Sequence, residues 1–236
     1  MAYQSCFQRF ELKYMLTLSQ KEELLKVMAP YMRLDQYGRT VIRNVYFDTP
    51  NYRLIRRSID RPLYKEKLRI RSYAQATTEG SVFVELKKKF KKVVYKRRLA
   101  MPLCETLPWL AGDDSKKPPG QIAEEITYFR NFYGKLVPAI FLTYEREAFY
   151  SLDGSEFRVT FDENILARAT DMDLRSEVSG TPLLPEGMVL LELKAPGAIP
   201  LWLTDFLTKN KIYKTSFSKY GTAYQTMLFK GGKLCV

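Results

Sequence analysis

Charged residues recur at every second position along several short segments, and their types suit a multiply charged anion. The rows read Glu11-x-Lys13, Lys67-x-Arg69-x-Arg71, Glu85-x-Lys87-x-Lys89, Lys96-x-Arg98, Arg146, Arg158-x-Thr160-x-Asp162 and Glu192-x-Lys194. A spacing of two puts each row on one face of a β-strand. Guanidinium and ammonium groups grip phosphate oxygens through charge-assisted hydrogen bonds. Glu11, Glu85 and Glu192 each stand two residues from a lysine on a separate segment. Such carboxylates are the hard oxygen donors that hold Mg2+ or Mn2+ beside a phosphate chain. Phosphoryl transfer asks for positioning and charge neutralisation more than for covalent chemistry. It can therefore run in a chain with no histidine, as here. The missing histidine excludes a His-containing triad, a phosphohistidine relay, a His-ligated zinc and an imidazole base near pH 7.

The other face of these strands is apolar: Leu12 and Tyr14, Leu68 and Ile70, Val84 and Leu86, Phe157, Val159 and Phe161, Leu191 and Leu193. Two geometries fit. In one, each strand packs a helix on its apolar side and shows its charges to bulk water. In the other, the sheet closes into a barrel of about eight strands with the charges inside and helices outside. An empty interior with this many cations repels itself, and each desolvated ion costs several kcal/mol. Only water or a polyanion makes it tenable.

Length and composition describe an ordinary globular chain. It has 236 residues, 46% hydrophobic and 27% charged, which suits a single domain spanning 1–236 with a core of its own. The net charge is +12, and 13 lysines and arginines stand against 4 acids between Asp60 and Arg98. This bias points to phosphate-rich partners. Cys6, Cys104 and Cys235 form no CxxC or zinc spacing, as expected of a reducing, cytoplasmic compartment. No secretory signal pattern and no apolar run of membrane-spanning length is present.

Periodicity predicts strands at 7–14, 41–47, 64–73, 81–90, 92–100, 138–150, 156–162 and 187–194. Helices are predicted from a Ser19–Glu22 capping box to Tyr31, then at 50–57, 121–133, 199–210 and 217–229. Residues 110–120 read as a surface loop, and 163–186 as a long polar stretch. Hairpin-linked strands that do not alternate with helices predict an α+β fold rather than a doubly wound parallel sheet. Nucleotide-binding glycine motifs (GxxxxGK[ST], GxGxxG) are absent, and Gly231-Gly232-Lys233 lacks their upstream spacing.

The segments FELKY (10–14), YFDTP (46–50), KLRIRSY (67–73), VFVELKKK (82–89), KRR (96–98), YERE (144–147), FRVTFDENI (157–165), LLELK (190–194) and FSKYGTAY (217–224) occur in this order. Over residues 7–228 the chain resembles the VTC domain, the polyphosphate-polymerase domain of the CYTH-like, or triphosphate tunnel metalloenzyme, superfamily. The resemblance implies a closed antiparallel eight-stranded β-barrel with flanking helices and a nucleoside triphosphate inside. It implies transfer of the γ-phosphate of ATP to a growing inorganic polyphosphate chain, with a divalent metal, Mn2+ or Mg2+. Carried over, Lys13, Arg69, Arg71, Lys87, Arg146 and Arg158 would act on the reacting phosphates. Lys89, Lys96, Tyr144, Lys194, Ser218 and Lys219 would hold substrate, the last two with help from a helix N-terminus. Glu192, with Glu11 and Glu85, would hold the metal.

The hydrolases of the superfamily begin with ExExK, whereas this strand reads Arg9-x-Glu11-x-Lys13. One carboxylate fewer favours the polymerase branch. A lysine that the VTC pattern can place two residues before Ser218 is Ser216 here, with Lys214 nearby. A triphosphatase and a non-catalytic polyphosphate-binding module stay open as alternatives. A single-stranded nucleic-acid barrel ranks last, because the aromatic residues fall mostly on the apolar parity. Without a membrane segment, any membrane protein at the inner face would have to act as a partner in trans. Tyr46, Phe47 and Asp48 read as a strand end and helix cap, and Trp109 and Trp202 as packing residues.

Overall fold

The computed structural model describes residues 6–7, 10–91 and 93–229. Arg9, Lys92 and the Gly231–Lys233 segment lie outside them. Eight long strands follow the alternating segments: β2 (Phe10–Thr17), β3 (Met32–Asp48), β4 (Tyr64–Ser72), β5 (Ser81–Phe90), β6 (Val93–Pro102), β7 (Val137–Ser151), β8 (Arg158–Arg168) and β10 (Met188–Ala195). Three two-residue strands join them: β1 (Cys6–Phe7), β9 (Thr181–Pro182) and β11 (Lys214–Thr215). All form one antiparallel sheet in the order β1-β6-β5-β4-β3-β7-β8-β10-β2-β11, with β9 beside β8. The α+β expectation holds; the closed eight-stranded barrel does not. Among the described residues β2 and β6 do not pair with each other. The outer edge of β2 takes β11, and that of β6 takes β1, so the ladder stays open.

The sheet nevertheless curls on itself. Lys87 on β5 donates to Glu11 on β2, six places along the order, at 3.1 Å. β1 sits at one end of that order and β2 next to the other end, yet only two residues separate them in sequence. The chain itself thus holds the two ends within about 11 Å.

The apolar parity faces outward under helices. One core joins Leu68, Ile70, Val84 and Leu86 to Leu103 and Trp109 of α3 (Leu103–Ala111) and Ile126 and Phe129 of α4 (Gln121–Tyr133). A second joins Tyr14, Val159, Phe161, Leu191 and Leu193 to Leu24 of α1 (Leu18–Met28) and Leu203 of α5 (Leu201–Lys209). Trp109 is fully buried and Trp202 stacks on Tyr31, so both pack as expected. A third cluster lies on the concave side. There Ile42, Ile140, Leu142 and Leu190 meet Tyr220 and Ala223 of α6 (Lys219–Ala223) and Ile55 of α2 (Arg53–Ile59). The interior is therefore charged in one part and apolar in another.

Several local expectations shift. Thr17 and Gln20, not Ser19 and Glu22, form the capping box of α1, because β2 runs straight into the helix. Asp48 accepts from the backbone N–H groups of Leu54 and Ile55 at the start of α2, which begins at Arg53 rather than at 50. Helix α3 falls where no element was predicted. The last helix is short and continues as a π-turn over Tyr224–Leu228. No helix among the described residues is long and apolar enough to cross a membrane.

Candidate active site

A cavity of about 250 Å³ occupies the charged part of the concave face. Nine cations and three carboxylates line it, drawn from β2, β4, β5, β6, β7, β10 and α6. Strand periodicity explains the set, since each contributes through alternate residues of one parity.

Glu85 organises one wall. It is 1% exposed, and Arg69, Arg71, Lys96 and Arg98 surround it at 2.7, 3.8, 2.7 and 3.3 Å. Burial pushes its carboxyl up, but these cations outweigh burial and hold it well below the usual carboxylate range. Arg69 also donates to the Tyr46 hydroxyl at 2.8 Å, and Arg71 donates to Asn44 and to the Tyr144 hydroxyl. The two arginines are fixed before any ligand arrives.

Asp162 plays the same part opposite. Fully buried, it takes both arms of Arg146, at 2.5 and 2.7 Å, and the Lys219 ammonium at 2.5 Å. Lys219 and Arg146 both lie over the Tyr144 ring. Burial raises the Tyr144 hydroxyl, but Arg71, Arg146 and Lys219 win and lower it.

Glu11, Lys13, Glu192 and Lys194 form a checkerboard on the paired strands β2 and β10, in register Glu192↔Lys13 and Lys194↔Glu11. The Lys13 ammonium lies 3.4 Å from Glu11 and 3.9 Å from Glu192, and donates to the Phe217 carbonyl. Burial and Glu192 push the Glu11 carboxyl up, while Lys87, Lys13 and Lys194 together bring it down to about 2. Glu192 is held well below its ordinary range by Lys194, Lys13 and Arg146, against the pull of burial.

Lys67 stands apart. Its ammonium has the Ser218 hydroxyl at 3.1 Å, and no carboxylate lies in ion-pair range among the described residues. Burial, then Lys87, Lys13 and Lys65, push it down to about 7. Lys96 falls to about 7 as well, because burial, Arg69 and Arg71 outweigh its pairing with Glu85.

The cavity gathers Glu11, Lys13, Arg69, Arg71, Glu85, Lys87, Lys96, Tyr144, Arg146, Glu192, Lys194, Ser218 and Lys219 from the predicted set. Two members fall outside the lining. Lys89 shares the parity but lies toward the end of β5, away from the cavity lining, and Arg158 is exposed at the first position of β8. Glu85 is surrounded by four cations, which leaves its oxygens poorly disposed to ligate a metal. Ser218 turns its hydroxyl to the Gly221 N–H as a helix cap, and Lys219 turns to Asp162, so neither makes a free N-terminal phosphate cradle. Lys67, Tyr46, Asp162 and Tyr220 were missed. The first and third sit on the charged parity, which was signal enough. Tyr46 was read as part of a strand end and Tyr220 was given no role; they stack at 4.7 Å and bring a ring against Arg69.

No cluster of three or more metal-ligating side chains converges among the described residues. Glu11 and Glu192, flanking Lys13, are two hard oxygen donors, the number Mg2+ needs when substrate phosphates complete its shell. The donor set fits such an ion and does not fit an all-protein cage.

A curled antiparallel sheet thus turns arginines, lysines and a few carboxylates into its hollow, a lining whose charge suits a polyanion. The chain belongs to the VTC domain family, whose model matches residues 8–228. The fold is similar to that of a candidate adenylate cyclase from Bacillus halodurans, with TM-score 0.58 and 13% identity over 95% of this chain and 100% of that one. It is similar also to a candidate adenylyl cyclase from Hippeastrum described as having a dominant triphosphatase activity, with TM-score 0.56 and 14% identity over 92% and 95%. No curated protein matches the chain.

Proposed function

We propose that this protein is a triphosphate-handling enzyme that transfers the γ-phosphate of ATP to inorganic polyphosphate within its cationic hollow. One observation carries the choice of reaction. Every carboxylate lining the cavity is held in its ionised form, Glu11 down to about 2 and Glu85 and Glu192 well below their usual range. Such groups are weak bases, poorly matched to activating water near neutral pH. The terminal oxygen of a polyphosphate chain is already anionic. It attacks the γ-phosphorus, the bond to the β-phosphate oxygen breaks, and ADP leaves with no proton to be removed. Arg69, Arg71 and Arg146, prefixed by Glu85 and Asp162, neutralise the equatorial oxygens. Lys13, Lys67 and Lys87 hold the remaining phosphates. The superfamily is metal-dependent, and Glu192 with Glu11 would hold Mn2+ or Mg2+, which supplies further neutralisation of the triphosphate.

The second reading is a triphosphatase, favoured by the activity described for the Hippeastrum neighbour. Pure protein incubated with ATP and Mn2+ separates them when long polyphosphate is resolved on a gel and free phosphate is measured beside it. Chains support transfer. Free phosphate without chains overturns it for hydrolysis, and tight polyphosphate binding without turnover leaves a binding module. Glu192→Gln should abolish turnover while anion binding persists; unchanged turnover would remove its metal role.

A further inference from the structure

The inward rows of β4 and β5 do not end alike. Toward the β5–β6 turn they stay cationic, with Lys67 opposite Lys87 and Lys65 opposite Lys89. Toward the β4–β5 connection they turn aromatic. Phe83 lies opposite Arg71, and Tyr73 is the next inward position after Arg71, whose guanidinium lies 5.9 Å from the Tyr73 ring centroid. Two rings on the charged parity, at the edge of the phosphate-gripping set, call for a ligand with an apolar part.

Arg98 on β6 ties the rings together. Its guanidinium lies 3.6 Å from the Phe83 centroid and 5.4 Å from that of Tyr73, and it donates to the Tyr73 hydroxyl at 2.9 Å. The rings meet edge to face, with centroids 5.6 Å apart. Arg98 is itself placed by Glu85 at 3.3 Å, the carboxylate that also fixes Arg69 and Arg71. One buried anion thus sets the phosphate-gripping arginines and the aromatic pair in a single frame.

Tyr73 remains 42% exposed. With Phe83 it walls a cavity of about 310 Å³ whose other side is the β4–β5 connection. That connection is anchored. The Ala76 N–H donates to the Leu174 carbonyl, the Gly80 N–H to that of Thr77, and the Leu103 N–H to that of Gly80. The space therefore stands before a ligand arrives. Its volume is at the small end for a ligand pocket, which suits one flat ring system rather than a whole nucleotide. Two residues of extended chain set Tyr73 about 7 Å beyond Arg71, a gap comparable to the ribose that separates phosphates from a base. Stacking on an aromatic face accepts any base, and a guanidinium beside the rings adds to it. Given the triphosphate reading of the hollow proposed above, we infer that Tyr73, Phe83 and Arg98 form the subsite for the base of the nucleoside triphosphate. The base stacks on the open face of Tyr73, Phe83 closes the cavity beside it, and Arg98 positions both rings.

The test is binding in EDTA and needs no turnover. ATP and tripolyphosphate are titrated separately by calorimetry into wild type, Tyr73→Ala and Tyr73→Phe, and tripolyphosphate is then used to displace ATP. Tyr73→Ala should weaken ATP at least about fivefold, the smaller effect of losing one base stack, and change tripolyphosphate less than about twofold. Tyr73→Phe keeps the ring and should keep the ATP affinity of wild type. Saturation-transfer NMR should reach the adenine H2 and H8 protons in wild type and much less so in Tyr73→Ala. An ATP affinity that Tyr73→Ala does not move overturns the subsite while leaving the triphosphate reading of the hollow intact. Equal weakening of ATP and tripolyphosphate also overturns it, since the ring would then act only through Arg71 and Arg98. ATP that tripolyphosphate does not displace overturns the reading of the hollow, and the subsite with it.

Discussion

Lys67 and Lys96 make ligand binding a proton-uptake reaction. Both are pushed down to about 7, Lys67 by burial and three neighbouring lysines, Lys96 by burial and two arginines that outweigh Glu85. At pH 8 a lysine of pKa about 7 carries its proton about a tenth of the time. A polyanion seated against it restores the ordinary range, so binding draws in close to one proton at Lys67. The Lys96 side chain is 37% exposed. Water screens it, and its share is smaller. Between pH 8 and 10, tripolyphosphate affinity should fall close to tenfold per pH unit for Lys67, with a further decline from Lys96. Calorimetry in two buffers of different ionisation enthalpy counts the protons. The ligand's own titration cancels when Lys67→Met is measured beside the wild type, and the difference should approach one proton. For the unliganded protein the sign reverses. The unfolded lysine keeps its proton up to its ordinary pKa, so stability rises with pH between about 7 and 10.5. Equal proton uptake in wild type and Lys67→Met would refute the reasoning.

Glu85→Gln leaves Arg69 and Arg71 uncompensated and should cost about 3–5 kcal/mol in urea unfolding; a loss under about 1 kcal/mol would mean the cations repair themselves with water. Arg69→Ala should weaken tripolyphosphate binding more than about tenfold, whereas Lys88→Ala, which loses only an outer contact to Glu125 at 3.9 Å, should change it less than about twofold. Equal effects would place both on the surface. Tyr220→Phe removes the 2.9 Å hydrogen bond to buried Asp48 and should destabilise by about 1–3 kcal/mol by thermal melting; no change would separate α6 from the cap of α2.

Alternation made the charged rows legible, because a period of two assigns a face without any tertiary information. Hence Arg69, Arg71, Glu85, Arg146 and Glu192 were read correctly as turned inward. Parity says nothing about position along a strand, which is why Lys89 and Arg158 were drawn in with their rows. Nor does it show which carboxylate is already spent: Glu85 and Glu192 look alike in sequence, but four cations converge on one of them. The roles of Tyr46 and Tyr220 were not legible, because aromatic rings serve packing and hydrogen bonding alike. The curl was legible from the charge load, yet closure was not. Pairing of the last edges depends on two-residue strands that no periodicity reveals. Helix α3 was not predicted; Pro102 caps it and Pro108 lies inside it, and proline disfavours a helix interior.

Among the described residues β6 meets only Cys6 and Phe7 along its outer edge, opposite Tyr95 and Val94. An edge strand offers donors and acceptors to a second molecule, the usual route to edge-to-edge aggregation. Lys96, Arg97 and Arg98 run along that border. The same basic tract that serves the hollow also repels another copy approaching side by side, so neutralising it for mechanistic study should cost colloidal stability as well as phosphate affinity.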